Sequence, residues 1–140
     1  MIFRDTAGIH PDEHAFFEKD PDGIQPGEPG AKLDDGKLQV WLCISGFPRA
    51  LAEVARVSTY GAKKYSRNGW KSVKDGEERY MEAFGRHELE LAMGHEIDPT
   101  TGLLHRAQMI WNLCAALELY LQGQESLKQG ERAFFSEPPT

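Results

Sequence analysis

Residues 103–122, LLHRAQMIWNLCAALELYLQ, set the strictest limit on what this chain can become. At 100° per residue the apolar side chains reach almost every side of one helix, so the helix must be covered on most of its circumference. His105, Arg106, Gln108 and Asn112 interrupt the run too often for a membrane span. Such a helix needs neighbours, and 140 residues leave room for one domain to supply them. Part of its surface is therefore expected in a contact between copies of the chain, beyond the internal core.

Two further segments carry helical periodicity. PRALAEVARVSTYGAKKY, about 48–65, has Pro48 in its first turn and sets Ala50, Val54, Val57 and Gly61 on one face, with Glu53 and Lys64 at its edge. The segment 76–94, with Asp75 as its cap and Gly94 closing it, puts Tyr80, Phe84, His87 and Leu91 on an inner stripe. The third helix spans about 103–122, and His105 and Asn112, seven apart, share one line along it. No strand pairing is legible, so the expected fold is all-α, a helical bundle. Residues 1–30, dense in proline and glycine, read as an irregular N-terminal arm with at most a turn of helix at HAFFEK, pinned by Phe16 and Phe17. The domain proper is expected at 31–123, opening with a minor apolar run that Pro48 ends. A tail follows at 124–140, with Phe134 and Phe135 able to dock.

A net charge of −6 argues against binding a nucleic acid polymer, although small nucleotides escorted by divalent cations remain compatible with an acidic surface. The two cysteines, Cys43 and Cys114, sit among large apolar residues and read as buried thiols, not as a disulfide or a zinc set. The first residues lack the basic start and apolar run of a secretory leader, so the expected location is the cytoplasm.

The chemistry concentrates in residues 86–105, RHELELAMGHEIDPTTGLLH. Glu96 and Asp98, two apart in a turn, can both aim at one hard cation, and Glu53 from a separate helix can complete a carboxylate set. Acids before a helix also serve its N-terminus, and Glu53 can equally pair with Lys64. His87, His105 and Asn112 form a polar seam through the bundle, either a site or a hydrogen-bonded part of the core. His10, His14 and His95 look peripheral. GAKKYSRNGW offers Lys63, Lys64, Tyr65, Arg67, Asn68 and Trp70, which is cation, amide and flat ring in one loop; the lysines also suit a helix C-terminus. KLDDGK offers Lys32 and Lys37, as a turn or as a phosphate clamp. Arg86 can bridge Glu82 and Glu90 one helical turn away on either side. No Walker loop, GxSxG or HExxH occurs.

The ordered set GAKLDDGK, LAEVARV, GAKKYSRNGW, RH, GHEIDPTTGLLH and Asn112 resembles the phage dATP/dGTP diphosphohydrolases, relatives of the MazG-like all-α nucleotide pyrophosphohydrolases and called MazZ in diaminopurine-DNA phages. It covers roughly residues 30–122. The resemblance implies a MazG-like helical bundle, a homo-oligomer (dimer or tetramer), two or more Mg²⁺ or Mn²⁺ ions, and hydrolysis of a purine (d)NTP to monophosphate and pyrophosphate in the host cytoplasm. By position it implies Glu53, Glu96 and Asp98 as metal ligands, and Glu53, His87, His105 and Asn112 in catalysis. Lys37, Lys63, Lys64 and Arg86 would face phosphates, with Tyr65, Asn68 and Trp70 near base or sugar. One departure stands out: the MazG-like pattern is EExxE followed by ExxD. Here GEERYME has its third acid one place late, and His105 and Gln108 stand where ExxD is expected, which makes Glu82 and Glu90 reserve ligands. The rival readings are a metal phosphohydrolase with histidine ligands cutting another phosphate bond, and a non-catalytic helical dimer that binds a nucleotide or a protein.

Overall fold

The computed structural model describes residues 19–135, with side chains to residue 129. Phe16, Phe17 and the HAFFEK turn, and the side chains of Phe134 and Phe135, lie outside the described part. The chain falls into two units, one ending at Gly46 and the other starting at Phe47.

In the first unit the chain turns repeatedly before a two-turn helix, α1 (Val40–Gly46), forms from the apolar run. The turns are organised by Asp20, a buried carboxylate. One oxygen accepts the N–H groups of Asp22 (2.8 Å) and Ile24 (3.3 Å), and the other accepts that of Lys32 (2.7 Å). The Lys32 amide is the main reason this carboxyl is held below its ordinary 3.8, against the effect of burial. Because the folded value is depressed, the contribution is complete above pH 3.8 and fades as the pH falls through the folded value. Asp20→Ala should therefore expose the Lys32 amide to fast hydrogen exchange at neutral pH, whereas the parent shows that loss only in acid. Equal protection in both proteins would mean that the turns hold without the carboxylate.

The second unit is all-helical, and its one β-type pairing among the described residues is an isolated bridge, Ile97 to Leu104. The elements are α2 (Pro48–Lys64), a short 3₁₀ turn (Gly69–Ser72), α3 (Gly76–Ala92) and α4 (His105–Phe135). The expected helices at 48–65 and 76–94 are there to within two residues. α4 starts two residues later than the spacing indicates and continues far beyond 122, through most of the supposed tail. SLKQ and the flanking glutamates favour helix strongly enough to carry it past Gly123.

α4 packs mainly on α3 and secondarily on α2. Its covered face is the line His105, Gln108, Asn112, Ala115 and Ala116, all buried. Small residues let the helices approach closely, and Gly76 at the start of α3 leaves no room for more: a Cβ there would lie 2.7 Å from Leu119 Cδ1. On α3, Tyr80, Phe84, His87 and Leu91 are half-buried, as the inner stripe requires. On α2, Val57 is buried and Val54 half-buried, while Ala50 is exposed. Trp70, Tyr80 and Trp111 close the joint with edge-on contacts, centroids 5.6–6.3 Å apart. Tyr80 donates its hydroxyl to the Trp70 carbonyl at 3.0 Å, and Trp111 Nε1 donates to Ser58 Oγ at 3.0 Å.

Three sequence expectations need correction. Both cysteines are exposed, because apolar neighbours in sequence are not neighbours in space; Cys114 lies half a turn round α4 from the buried line. Asp75 occupies the cap position of α3 but in a left-handed conformation (φ 53°), and its side chain makes no capping bond. Glu53 meets Arg56 on its own helix at 3.1 Å, rather than Lys64.

Candidate metal centre

The loop between α3 and α4 is built to return the chain sharply. Gly94 takes φ 89°, the conformation that ends α3, and the Ile97–Leu104 bridge closes the loop further on. Asp98 N–H bonds to the Leu103 carbonyl at 2.9 Å, and His105 N–H to the Glu96 carbonyl at 3.0 Å. The return brings Asp98 and His105 against His87, five residues before the end of α3.

His87 Nδ1 and His105 Nδ1 face each other at 2.8 Å, which requires an N–H on one ring and a lone pair on the other. The rings are tilted by 47°, centroids 5.1 Å apart. His105 is only 3% exposed, and its Nε2 is buried with no hydrogen-bond partner. One donor atom from each of His87, Asp98 and His105 lies within 4.8 Å of the others. Two imidazoles and a carboxylate converging from a helix, a loop and a second helix form a group able to hold a metal ion. His105 Nε2 is left without a partner in the buried interior, and the donor chemistry of two imidazoles and one carboxylate fits a divalent cation.

Electrostatics agree with that fit. Burial, then the neighbouring His105 charge, push the His87 pKa below its usual 6.5, which favours the neutral ring that a metal requires. For Asp98, burial works upward, but the Thr100 N–H and the Gln108 amide outweigh it. With help from the two imidazoles they keep the carboxyl below 3.8, and so ionised. Gln108, buried on α4, donates from Nε2 to Asp98 Oδ2 and to Thr101 Oγ1, both at 3.2 Å, and so holds the carboxylate from behind. Neither Gln108 nor Thr101 was a site candidate from sequence. The signal available was that Gln108 follows His105 by three and so shares its buried face.

The other candidates are distributed as follows. Glu96 is exposed, with Arg106 at 3.4 Å from its carboxylate, and Glu53 is held by Arg56; neither joins the three-residue group. Asn112 is buried one helical turn beyond Gln108 and gives its Nδ2 to the Gln108 carbonyl at 2.8 Å. Lys64 lies over the rings of Tyr60 (5.9 Å) and Tyr65 (5.1 Å). A hydrogen bond with Tyr65 is the main cause of its raised pKa, and Asp98 adds to the same pull, so Lys64 is within electrostatic range of the centre. Lys63 and Asn68 are exposed near by in sequence, and Trp70 belongs to the aromatic joint. Arg86 is exposed on α3 beside His87, and its charge helps to depress that imidazole. Of its supposed partners, Glu90 is engaged by His95 at 2.7 Å. Lys37 lies in the first unit, at the turn where its N–H meets the Asp34 carbonyl, and Glu82 is exposed on α3.

Comparison with known proteins gives concordant results. Residues 27–129 match the sequence model of a family described as dATP/dGTP diphosphohydrolase, N-terminal. A dATP/dGTP diphosphohydrolase of Salmonella phage PMBT28 is 42% identical over 78 residues, 56% of this chain. The chain spans about a quarter of that relative's length, 25%. No solved structure matches.

Proposed function

Since the chain belongs to the family of dATP/dGTP diphosphohydrolase N-terminal domains, we propose that it hydrolyses a purine deoxynucleoside triphosphate, dGTP or dATP, to the monophosphate and pyrophosphate with a divalent ion at His87, Asp98 and His105. The convergence of these three donor groups within 4.8 Å carries the reading. The substrate class comes from the name of the phage relative. Two or more Mg²⁺ or Mn²⁺ ions are the starting expectation for the metal. When bound, it would supply charge neutralisation and polarisation at the phosphates.

The chain's own residues do the rest. Lys64, charged and exposed at the end of α2, meets the outer phosphates, with Lys63 and Arg86 as further cations. Gln108 and the Thr100 N–H fix the orientation of Asp98, so no reorganisation is needed when the substrate arrives. A water attacks the α-phosphorus, the bond to the bridging oxygen of the β-phosphate breaks, and pyrophosphate leaves with that oxygen. Tyr65 is exposed beside Lys64, where a base or sugar can rest on it. The role in the cell would be to edit the deoxynucleotide pool of an infected host cytoplasm. No helix among the described residues is long and apolar enough to cross a membrane.

The test is incubation with dGTP and dATP and each divalent ion, with the products resolved by ion exchange. Monophosphate and pyrophosphate in equal amounts are expected. Nucleoside with tripolyphosphate, or diphosphate with orthophosphate, would transfer the assignment to a second reading, a phosphohydrolase cutting another bond, which the histidine content of the centre favours. Binding of nucleotide with no turnover would leave a nucleotide-binding part of a longer enzyme.

We also propose that two copies pair through α4. Ile110, Leu113, Leu117 and Tyr120 follow one another at intervals of three and four, Leu127 comes seven residues later, and all five are 43–63% exposed, on a face away from the buried line. That spacing is the one by which like helices interlock. The need for a second copy is internal: among the described residues no large side chain is fully buried, and the apolar core reduces to Val57 and three alanines. Size-exclusion chromatography with light scattering should give twice the 15.8 kDa chain mass, and Leu117→Glu the single mass. A parent protein that runs as a monomer would end the proposal.

A further inference from the structure

We infer that the His87–Asp98–His105 centre selects a nitrogen-binding transition ion, of the Co²⁺ or Zn²⁺ class, over Mg²⁺. The inference rests on the reading of these three residues as the metal centre, and it concerns which ion they take.

Mg²⁺ is a hard cation that asks for six oxygens in near-ideal octahedral order and gives up water reluctantly. Its protein sites are therefore built from carboxylates. Here the centre offers one carboxylate and two imidazoles. The carboxylates that could have hardened it are engaged elsewhere: Glu53 with Arg56 at 3.1 Å, Glu96 with Arg106 at 3.4 Å, and Glu90 with His95 at 2.7 Å. The remaining polar groups on the Asp98 carboxylate are the Thr100 N–H at 2.9 Å and the Gln108 amide at 3.2 Å, and both are donors. Asp98 is thus the single anionic ligand among the described residues of the group.

The two rings, by contrast, are already arranged to share an electrophile. Their Nδ1 atoms face each other at 2.8 Å and can hold one proton between them; an ion with affinity for imidazole replaces that proton. His105 keeps a second nitrogen, Nε2, buried and unpartnered. The ring is held by its backbone and by packing at the first residue of α4, not by side-chain hydrogen bonds beyond His87. Two facing imidazoles and an oriented carboxylate are a donor set for borderline ions. Three protein ligands leave coordination positions to phosphate oxygens and water, which is what a substrate-binding site requires.

The experiment is calorimetric titration of the full, metal-stripped chain with Mn²⁺, Co²⁺, Zn²⁺ and Mg²⁺ in the absence of nucleotide, with the visible spectrum of the Co²⁺ form recorded in parallel. One Co²⁺ or Zn²⁺ per chain should bind at least about a hundredfold more tightly than Mg²⁺. Co²⁺ should develop ligand-field bands, and both signals should disappear in His105→Ala and in His87→Asn, the second at a half-buried position where the fold is less at risk. Mg²⁺ binding as tightly as Co²⁺, or Co²⁺ bands that survive both substitutions, would overturn the inference. Loss and retention separate from the hydrolysis reading: selective binding with no turnover of any nucleotide removes the proposed activity and leaves the ion preference standing. Turnover that needs Mg²⁺ and persists in His105→Ala removes this centre and leaves the activity.

Discussion

His105→Ala lowers the affinity of the protein for its divalent ion by about a hundredfold or more and takes nucleotide hydrolysis with it. In the proposed centre three ligands from three elements would hold the ion, and losing one would leave an aspartate and a single imidazole, too few to compete with water. His105 is the member least replaceable by a neighbour, because it is 3% exposed and no other imidazole among the described residues faces His87. The fold should survive. Nε2 has no partner to lose, the backbone N–H that enters α4 stays bonded to the Glu96 carbonyl, and alanine is the best helix former. The check is metal content by mass spectrometry beside the far-UV spectrum and the product assay. An unchanged spectrum with metal and activity gone is the expected pattern. Full activity in the variant would take His105 out of the site, and a lost helical spectrum would make it a residue of the fold.

Trp111→Ala should cost about 2–4 kcal/mol of stability, somewhat less than a fully buried tryptophan because this one is only half-buried. In a helical unit of this size that corresponds to a fall in Tm of roughly 10–25 °C. The residue joins three elements: its ring lies edge-on to Trp70 at 5.8 Å and Tyr80 at 5.6 Å, and its Nε1 donates to Ser58 on α2. Trp111→Phe separates the contributions. It keeps an aromatic edge in the cluster and loses the hydrogen bond, so its cost should be nearer to 1 kcal/mol. Thermal melts of the metal-free proteins measure both. A drop of only a degree or two for the alanine variant would mean that α2 and α4 are held together by something other than this aromatic joint.

The candidate site was legible in part. His87 and His105 emerge from sequence because each is polar on an otherwise apolar helical stripe, and periodicity alone tells that both turn inward. Asp98 emerges as one of two acids in a turn. What the spacing left open was which acid belongs with the histidines: Glu96 and Asp98 are equivalent as residue types, yet Asp98 is oriented by Gln108 and Thr100 while Glu96 faces Arg106 at the surface. Glu53 raised the same ambiguity, since the edge of a helical face can serve either a site or an ion pair three residues away. The buried assignment of the cysteines failed for a related reason: local apolar composition reports how hydrophobic a helix is, and says nothing of which side is covered.

By itself, then, the sequence determined the helices and their inward stripes, because a 3.6-residue period, Pro48 at a start and Gly94 at an end act within a few residues of chain. It also led to the expectation that α4 is covered on more than one side, whereas the structure covers one face and leaves Ile110, Leu113 and Leu117 exposed. The tertiary structure alone decided the centre. His87 and His105 are eighteen residues apart along the chain, and they meet at 2.8 Å because the loop closed by Ile97 and Leu104 folds α4 back onto α3. Distances of that kind depend on how helices pack and how a loop returns, and no local pattern of residue types encodes them.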